Sequence, residues 1–343
     1  MKGKNLKLLF ILLIVLIGSY PVEATPYWVK PGVYVKYAAL RHEKIAQKYK
    51  SGDVFLSTGD VILETNGTYI QMSARGDTYL TFTIMGDEGD YLLMNLSLEM
   101  FNVTIKQFGD KTVILWPKSD LISKKNLNNE TLFNVTEARY SCTYKIRKED
   151  GMVFDTTGTN YGHTILWDDL GNAPIMVDHP FQLVGFAGNS VSKVVNVTPL
   201  DVTVITKTSN FKKPVIYVRT AGGGSIQTPV GEVSFSGTDA ILYFDGSTGM
   251  FVTGFFPTAP DLAACRIKMV YFMDQWGMYM SENHKEKGKL YTYGIGFYDT
   301  NAEFGVAETA QFSKPETSTK YLYIVPIAFL VLLVVFALWR NKR

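Results

Sequence analysis

The sequence predicts a mostly β fold, with curved antiparallel sheets of the sandwich or open-barrel type in the ectodomain and one C-terminal transmembrane helix. Three observations lead to this prediction. Apolar and polar residues alternate in many segments of the chain, a period typical of half-buried strands. Short turn signals rich in Gly and Asp separate these segments. An uncharged apolar stretch near the C-terminus has the length of a membrane-spanning helix.

Residues 1–24 fit a secretory signal peptide. Three lysines precede ten uninterrupted apolar residues at positions 8–17, and as a helix this stretch is too short to cross a bilayer core about 30 Å thick. Val22 and Ala24 supply modest and small side chains at the positions that a signal peptidase reads. Cleavage after Ala24 would place the mature N-terminus outside the cell.

Residues 321–339 are predicted to form the membrane span. Positions 322–339 carry no charge and would give about 27 Å of helix at a rise of about 1.5 Å per residue. The basic tail 340–343 follows at once and predicts a cytoplasmic C-terminus, so the chain is expected to be a single-pass cell-membrane protein. Its first partner is then the lipid bilayer. A buried helix of a soluble protein explains the aromatic and basic flanks less well.

The predicted ectodomain is nearly neutral and carries a surplus of glycosylation signals. It has 28 basic and 31 acidic residues, so it offers no basic stripe and no nucleic-acid partner is expected. Six Asn-x-Ser/Thr triplets lie in it, more than chance predicts, and these are typical of a surface glycoprotein. Their asparagines are Asn66, Asn95, Asn102, Asn129, Asn134 and Asn196.

The length and a change in composition predict two β domains. The ectodomain is near the size at which one hydrophobic core stops growing. Residues 117–134 are polar and rich in Lys and Asn, and are interpreted as a linker between an N-terminal domain, 25–116, and a second domain, 135–310. Residues 311–320 resemble a short stem before the membrane. One segment, 41–50, has a helical pattern.

The strand expected over residues 91–107 changes its apolar face part-way along. Even-numbered positions are apolar as far as Met100, and odd-numbered positions are apolar from Phe101. One inserted residue, a β-bulge, would reset the phase and leave both Asn95 and Asn102 facing water. The alternative is that two strands meet at a tight connection here.

The two cysteines, Cys142 and Cys265, lie on the apolar faces of two strand patterns. A disulfide between them would close a loop of more than a hundred residues and add about 4 to 5 kcal/mol of stability in the chain-entropy estimate. The alternative is two buried thiols that act as small apolar side chains.

No catalytic or metal-binding motif is evident, so neither an enzyme nor a cofactor is expected. The chain has no nucleophile elbow, zinc-helix motif or phosphate-binding loop. The histidines lack ligand spacing. Asp168 and Asp169 could form a paired-carboxylate cleft, although a polar turn is the simpler interpretation. The histidines are His42, His163, His179 and His284.

Residues 242–252, LYFDGSTGMFV, read as an aromatic strand, a turn and an apolar return strand. This hairpin resembles one in lipoprotein-carrier folds of the LolA/LolB type. Together with WVKPGVYVKY at 28–37, it also resembles uncharacterised archaeal secreted, membrane-anchored β-rich surface proteins. The carrier resemblance implies a strongly curved antiparallel sheet around an apolar cavity. A shuttling carrier would not need the C-terminal span.

These observations predict a membrane-anchored extracellular glycoprotein with a binding or envelope-structural role and no catalytic activity. Another envelope protein or a hydrophobic ligand is the expected partner. One alternative is a carrier of lipid or another hydrophobic ligand in a β cavity, which an enclosed apolar pocket would support. Another is an anchored extracellular hydrolase that uses carboxylates, which acids clustered in an open cleft would support.

Overall fold

The alternating segments form strands in the computed structural model, which describes residues 25–51, 56–65, 67–109, 112–170, 174–179, 192–228 and 231–304. The strands are β1 (Tyr34–Ala39), β2 (Gly59–Thr65), β3 (Thr68–Ala74), β4 (Thr78–Glu88), β5 (Tyr91–Phe108), β6 (Leu121–Asn126), β7 (Glu130–Arg147), β8 (Met152–Phe154), β9 (Asn160–His163), β10 (Lys193–Leu200), β11 (Thr203–Ile205), β12 (Asn210–Phe211), β13 (Val215–Thr228), β14 (Gly231–Asp245), β15 (Phe251–Phe255), β16 (Ile267–Phe272), β17 (Lys289–Tyr291) and β18 (Ile295–Thr300). The helices are α1 (Glu43–Lys48), α2 (Pro260–Ala264) and α3 (Gln275–Asn283), with a 3₁₀ turn at Lys118–Asp120. The predicted mostly β class is confirmed.

Fifteen strands make one antiparallel sheet. Its main path runs β10-β13-β14-β15-β18-β1-β4-β5-β3-β2-β16, and β7 joins β5 to a branch that contains β6, β8 and β9. A second sheet of three strands has the order β12-β11-β17, in which β11 and β17 run parallel. Among the described residues, every other strand pair is antiparallel, as the alternating sequence pattern predicts.

The two predicted β regions contribute to the same sheet. β5 lies before the predicted linker 117–134, β7 begins inside it, and the two strands pair from end to end. The segment itself contributes β6, an edge strand whose partner is β7. The described residues up to Glu303 belong to one compact unit. The division into an N-terminal domain, 25–116, and a second domain, 135–310, stays a prediction.

β5 is a single strand, so the alternative of two strands meeting at a connection is wrong. Its buried residues have even numbers as far as Met100 and odd numbers from Val103. Asn102 resets the phase with a left-handed backbone, φ 51°. β7 changes phase at the facing position and the two strands stay in register, with Met100 opposite Ala138 and Val103 opposite Val135. Both strands therefore carry the extra residue, which differs from the predicted bulge of one strand.

The phase change coincides with a change of neighbour on the other side of β5. Thr78 of β4 pairs with Met100, whereas Ala74 of β3 pairs with Val103. The turn between β3 and β4 meets β5 at this junction, where a Cβ on Gly76 would lie 2.8 Å from the carbonyl oxygen of Phe101. Because that distance is too short for a side chain, glycine is required there.

Two local predictions near the second cysteine are corrected. Cys265 is the C-cap residue that directly follows α2, and it is not on a strand. The strand pattern that places Cys265 on an apolar face also places Met269 and Tyr271 there. The register of β16 against β2 shifts between Ile267 and Met269, so Val270 and Phe272 are buried and Met269 and Tyr271 are only half-buried. α1 confirms the helical pattern at 41–50, and α2 and α3 were not predicted.

Aromatic side chains from the central strands of the main sheet pack around Tyr37 of β1. Tyr37 is completely buried, and its ring lies 5.0 Å from that of Phe251 and 6.0 Å from that of Phe82. The Tyr37 hydroxyl donates a hydrogen bond of 2.9 Å to the carbonyl oxygen of Phe251. This contact satisfies the polar end of a buried ring.

The three-stranded sheet packs on β13, β14 and β15. Val204, Val215 and Val252 form a buried cluster between the two layers, and Tyr243 and Leu290 pack against it. This arrangement carries β17 and the residues after it over the surface of β14 and β15, where a groove forms.

The predicted signal peptide 1–24, stem 311–320, span 321–339 and tail 340–343 lie outside the described residues. Within the described ranges, the structure has no helix of sufficient length and apolar character to traverse a bilayer.

Candidate functional site

A groove of ≈ 290 Å³ opens at the surface where residues 290–294 pass over β14 and β15. This volume is near the lower limit of small-molecule sites, which is roughly 300 Å³. Among the described residues, those that line the groove carry no charge. The lining residues are Ile241, Tyr243, Gly254, Phe255, Leu290, Tyr291, Thr292, Tyr293 and Gly294.

A larger hollow of ≈ 500 Å³ lies at the turn between β6 and β7. It is lined by Phe108 and by residues 126–130, most of which are exposed polar residues of the turn. We consider the aromatic groove the better candidate because its walls are large side chains held by the sheet.

Three glycines bring the backbones around the groove into direct contact. A Cβ on Gly294 would lie 2.0 Å from the carbonyl oxygen of Gly254, and a Cβ on Gly254 would lie 2.8 Å from that of Ile241. On the other side, a Cβ on Gly277 of α3 would lie 1.9 Å from the carbonyl oxygen of Thr292. Residues 292–294 are thus clamped between β15 and α3, because only glycine permits such approaches.

Aromatic side chains form the walls. Phe255 is 36% exposed and Tyr293 is 49% exposed, while Tyr291 is buried with its ring edge-on to Trp276 at 6.4 Å. Tyr271 lies just outside the lining and meets the Phe255 ring edge-on, at 5.3 Å and 88°. This contact fixes the direction in which Phe255 faces solvent.

The tyrosine hydroxyls of the groove are available to a ligand. Within the described residues, the hydroxyls of Tyr243, Tyr271, Tyr291 and Tyr293 make no hydrogen bond to the protein. Burial, followed by the neighbouring Tyr217, raises the pKa of Tyr243 to about 12. The groove therefore presents neutral aromatic faces and hydrogen-bonding hydroxyls, which suit binding better than proton transfer.

The carboxylates of Asp168 and Asp169 do not lie in an open cleft. Asp168 is 2% exposed and Asp169 is 9% exposed. Asp168 Oδ1 accepts a hydrogen bond of 2.7 Å from the backbone N–H of Ile175, and its own N–H donates to the carbonyl oxygen of Gly249 at 2.7 Å. Burial raises the pKa of Asp168 to about 6, with Asp169 adding to the shift. These contacts tie the segment to the β14–β15 turn.

The histidines are distributed between two places. His163 and His179 stack with ring centres 5.9 Å apart, and His42 stacks on Tyr279 at 4.0 Å, with His284 on the edge of the same tyrosine ring. Burial lowers the pKa of His163 to about 4. In the described ranges, no three His, Cys, Asp or Glu residues are grouped so that they could hold a metal ion.

The two cysteines meet at disulfide distance, with a Cα–Cα separation of 5.6 Å. Three alternate residues of β7, Tyr140, Cys142 and Tyr144, contact α2 or its C-cap residue, Cys265. Cys142 lies in the middle of the three. On one side, the Tyr140 hydroxyl donates to the carbonyl oxygen of Cys265 at 2.8 Å. On the other, the Tyr144 hydroxyl donates to Asp261 at 2.9 Å.

The predicted glycosylation sites differ in their surroundings. Asn102, Asn129 and Asn196 are exposed, and Asn95 is half-buried, so neither asparagine of β5 points into the core. Asn134 lies between β5 and β6, where it accepts a hydrogen bond from Thr104 and donates one to Ser123, both at 2.9 Å. Asn66 lies outside the described residues.

Comparison of the chain with protein-family models, curated proteins and solved structures finds no match. The resemblance to LolA/LolB-type carriers and to archaeal surface proteins therefore stays a prediction from the residues. Residues 242–252 do form the predicted hairpin, with a turn between β14 and β15.

The groove was missed in the sequence because its walls come from three separate segments. The alternation of Ile241 and Tyr243 indicates a strand, but it does not indicate what covers that strand. The usable signal was the pair Gly254-Phe255 and Tyr293-Gly294, in which a glycine adjoins an exposed aromatic residue. A glycine in a strand marks close backbone approach.

Proposed function

We propose that the protein is a membrane-anchored, glycosylated cell-surface protein that binds a ligand in the aromatic groove without catalysing a reaction. The observation that carries the proposal is the groove itself, whose lining includes the exposed aromatic side chains of Phe255 and Tyr293. Large exposed aromatic side chains on a rigid framework are typical of binding surfaces.

The sequence supplies the cellular context of this proposal. The apolar stretch at 8–17 has the features of a signal peptide, and that at 321–339 has those of a membrane anchor. Residues 25–320 then lie outside the cell, where a disulfide persists. The distance between Cys142 and Cys265 is compatible with that location.

The other two candidate functions fit the geometry less well. A lipid carrier needs an enclosed apolar cavity for an acyl chain, whereas this groove is small, open and lined by several hydroxyl groups. A hydrolase that uses Asp168 and Asp169 needs carboxylates that reach a substrate, whereas both are buried and Asp168 binds backbone amides.

Surface iodination tests the proposal without knowledge of the ligand. Lactoperoxidase does not cross membranes and catalyses iodination of exposed tyrosines, which mass spectrometry then locates. On intact cells, we expect Tyr27, which is 52% exposed outside the groove, to be iodinated and Tyr293 to be protected by bound ligand. After purification of the full-length protein and extensive washing, both should react.

Two results would overturn the proposal. Equal iodination of Tyr293 on cells and in the washed protein means that the groove holds no ligand at the cell surface. Iodination of Tyr27 only after cell lysis means that the ectodomain does not face the outside.

A further inference from the structure

The groove has a floor of backbone and walls of aromatic rings. Gly254 and Gly294 bring β15 and residues 292–294 together so closely that neither position has room for a side chain. Phe255 and Tyr293 rise beside it, and the edge-on contact with Tyr271 fixes Phe255. Aromatic side chains have few rotatable bonds, so they present a flat apolar face at a small entropic cost.

Hydroxyl groups surround these apolar faces. The hydroxyls of Tyr243, Tyr291 and Tyr293 have no hydrogen-bond partner among the described residues. Thr253 donates its hydroxyl proton to the carbonyl oxygen of Ile295 at 2.9 Å, so in its 2.6 Å contact with Thr292 it must accept. Thr292 therefore donates to Thr253 and keeps its own oxygen lone pairs for a ligand.

In the described part of the chain, the residues that line the groove hold no charge that could recognise an ion. Three basic side chains lie near the groove but are not among its lining residues. Arg219 of β13 is the exposed cross-strand partner of Ile241, Lys207 lies over the ring of Trp276 at 5.3 Å, and Lys289 pairs with Glu286 at 2.6 Å. A phosphate, carboxylate or ammonium group held by the lining residues alone would be desolvated without an ionic partner, which is costly. The charge pattern thus favours a neutral ligand.

A neutral ligand that uses all of these features needs flat C–H faces and hydroxyls at its edges. A pyranose ring has this form, because one face presents C–H groups to an aromatic ring while the ring edge carries hydroxyls. The volume of ≈ 290 Å³ limits what enters to a small ligand or to the end of a longer one. A purely apolar ligand would leave the hydroxyls of the groove without partners.

We propose that the groove binds a neutral saccharide, with a sugar ring against Phe255 and Tyr293 and sugar hydroxyls bonded to Tyr243 and Thr292. The inference rests on the proposed function and names the ligand class for the same site. It defines the protein as a surface lectin without catalytic activity.

The test uses the full-length protein in a detergent without a sugar headgroup. The protein is applied to a printed array of neutral and acidic oligosaccharides, and the neutral oligosaccharide that binds best is then titrated by calorimetry. Tyr293→Ala should weaken its binding by about tenfold or more, and Tyr293→Phe, which keeps the ring, by a smaller factor. The control Tyr27→Ala removes a tyrosine of similar exposure outside the groove and should bind as the unaltered protein does.

Choline and decanoate serve as probes for the competing ligand classes, a quaternary ammonium ion and an acyl chain. Binding of either probe in place of neutral sugars, binding of acidic oligosaccharides alone, or sugar affinity unchanged in Tyr293→Ala would each overturn the proposal. Protection of Tyr293 on intact cells together with no sugar binding would leave the proposed binding function in place and reject only the saccharide. Thermal unfolding of each variant shows that lost binding does not reflect a lost fold.

Discussion

The hydroxyl of Tyr144 donates a hydrogen bond to Asp261 Oδ1 across 2.9 Å, and both side chains are completely buried. Tyr144 lies on β7 and Asp261 on α2, so the bond joins the branch of the sheet to the helix that leads into β16. β16 carries Tyr271, the residue that supports Phe255 in the groove. The buried pair therefore helps to hold one wall of the proposed binding site.

Replacement of Asp261 should be among the most damaging single changes. Its carboxylate accepts hydrogen bonds from the hydroxyls of Tyr144 and Thr164 and from the N–H of Ile165. Asp261→Ala leaves three buried donors without an acceptor, and we expect the free energy of unfolding to fall by roughly 3 to 5 kcal/mol. Urea denaturation measures the loss.

Tyr34→Phe is a matched control for Tyr144→Phe. Tyr34 also donates to an aspartate, Asp299, at 2.7 Å, but that bond is exposed to solvent. Tyr144→Phe should cost about 1 to 2 kcal/mol and Tyr34→Phe less than about 0.5 kcal/mol. An equal decrease in the free energy of unfolding for the two variants would show that burial does not strengthen the contribution of the Tyr144–Asp261 hydrogen bond to stability.

The disulfide should contribute stability through the loop that it closes. Cys142 and Cys265 are separated by 123 positions, so the double variant Cys142→Ala/Cys265→Ala should lose about 4 to 5 kcal/mol in the chain-entropy estimate. Alkylation of the denatured, unreduced protein should leave its mass unchanged. Alkylation after reduction should add two labels, one on each cysteine. Alkylation before reduction would contradict the bond.

His163 should make the protein less stable in acid. Burial lowers the pKa of this imidazole from 6.5 to about 4, so the folded state keeps it neutral while the unfolded state binds a proton. The stability that the neutral imidazole contributes is fully present above pH 6.5. As the pH falls toward 4, the free energy of unfolding decreases by roughly 3 kcal/mol. His163→Phe, which keeps a flat ring against His179, should lose less stability between pH 7 and pH 4.5 than the unaltered protein.

An identical loss in His163→Phe and the unaltered protein would assign the acid sensitivity to other groups.

Asp274 should act in the opposite direction. Burial raises the pKa of its carboxyl from 3.8 to about 7, although the N–H groups of Leu40 and Gly277 oppose the shift. The folded state thus holds the proton more tightly than the unfolded state does. The stability that the protonated carboxyl contributes is fully present below pH 3.8 and is lost as the pH rises to 7. Asp274→Asn retains the helix cap and should reduce the fall in stability between pH 4 and pH 8. An unchanged fall would refute the assignment.

Local patterns in the sequence predicted the strands well. Successive side chains of a strand point to opposite faces of the sheet, so burial of one face makes every second residue apolar. The patterns around Cys142 and in β5 succeeded for this reason. They failed at β16, where the register shift after Ile267 exchanged the two faces, and at α2, which is five residues long and buried throughout, so it has no polar face to reveal its period. The groove could not be predicted from such patterns, because it depends on which glycines lie against the backbone of another segment in the tertiary structure.

Asn102 combines two roles that substitution can separate. Its backbone is left-handed, φ 51°, and it begins an exposed glycosylation triplet. Asn102→Asp retains a residue that tolerates this backbone but removes the glycan acceptor. If Asn102 is glycosylated, the Asp variant should therefore lose the mass of one glycan with little change in its unfolding midpoint.

Asn102→Gly and Asn102→Val test the backbone itself. Glycine adopts a left-handed conformation without a steric penalty, whereas a β-branched residue meets the following carbonyl oxygen, so the valine variant should be less stable than the glycine variant by roughly 1 to 3 kcal/mol. Asn95, on the same strand in ordinary extended conformation, is the matched control. There the order should reverse, because valine favours strands and glycine weakens them. If valine is more stable than glycine at both positions, Asn102 is an ordinary strand residue, and the change of face in β5 needs another cause.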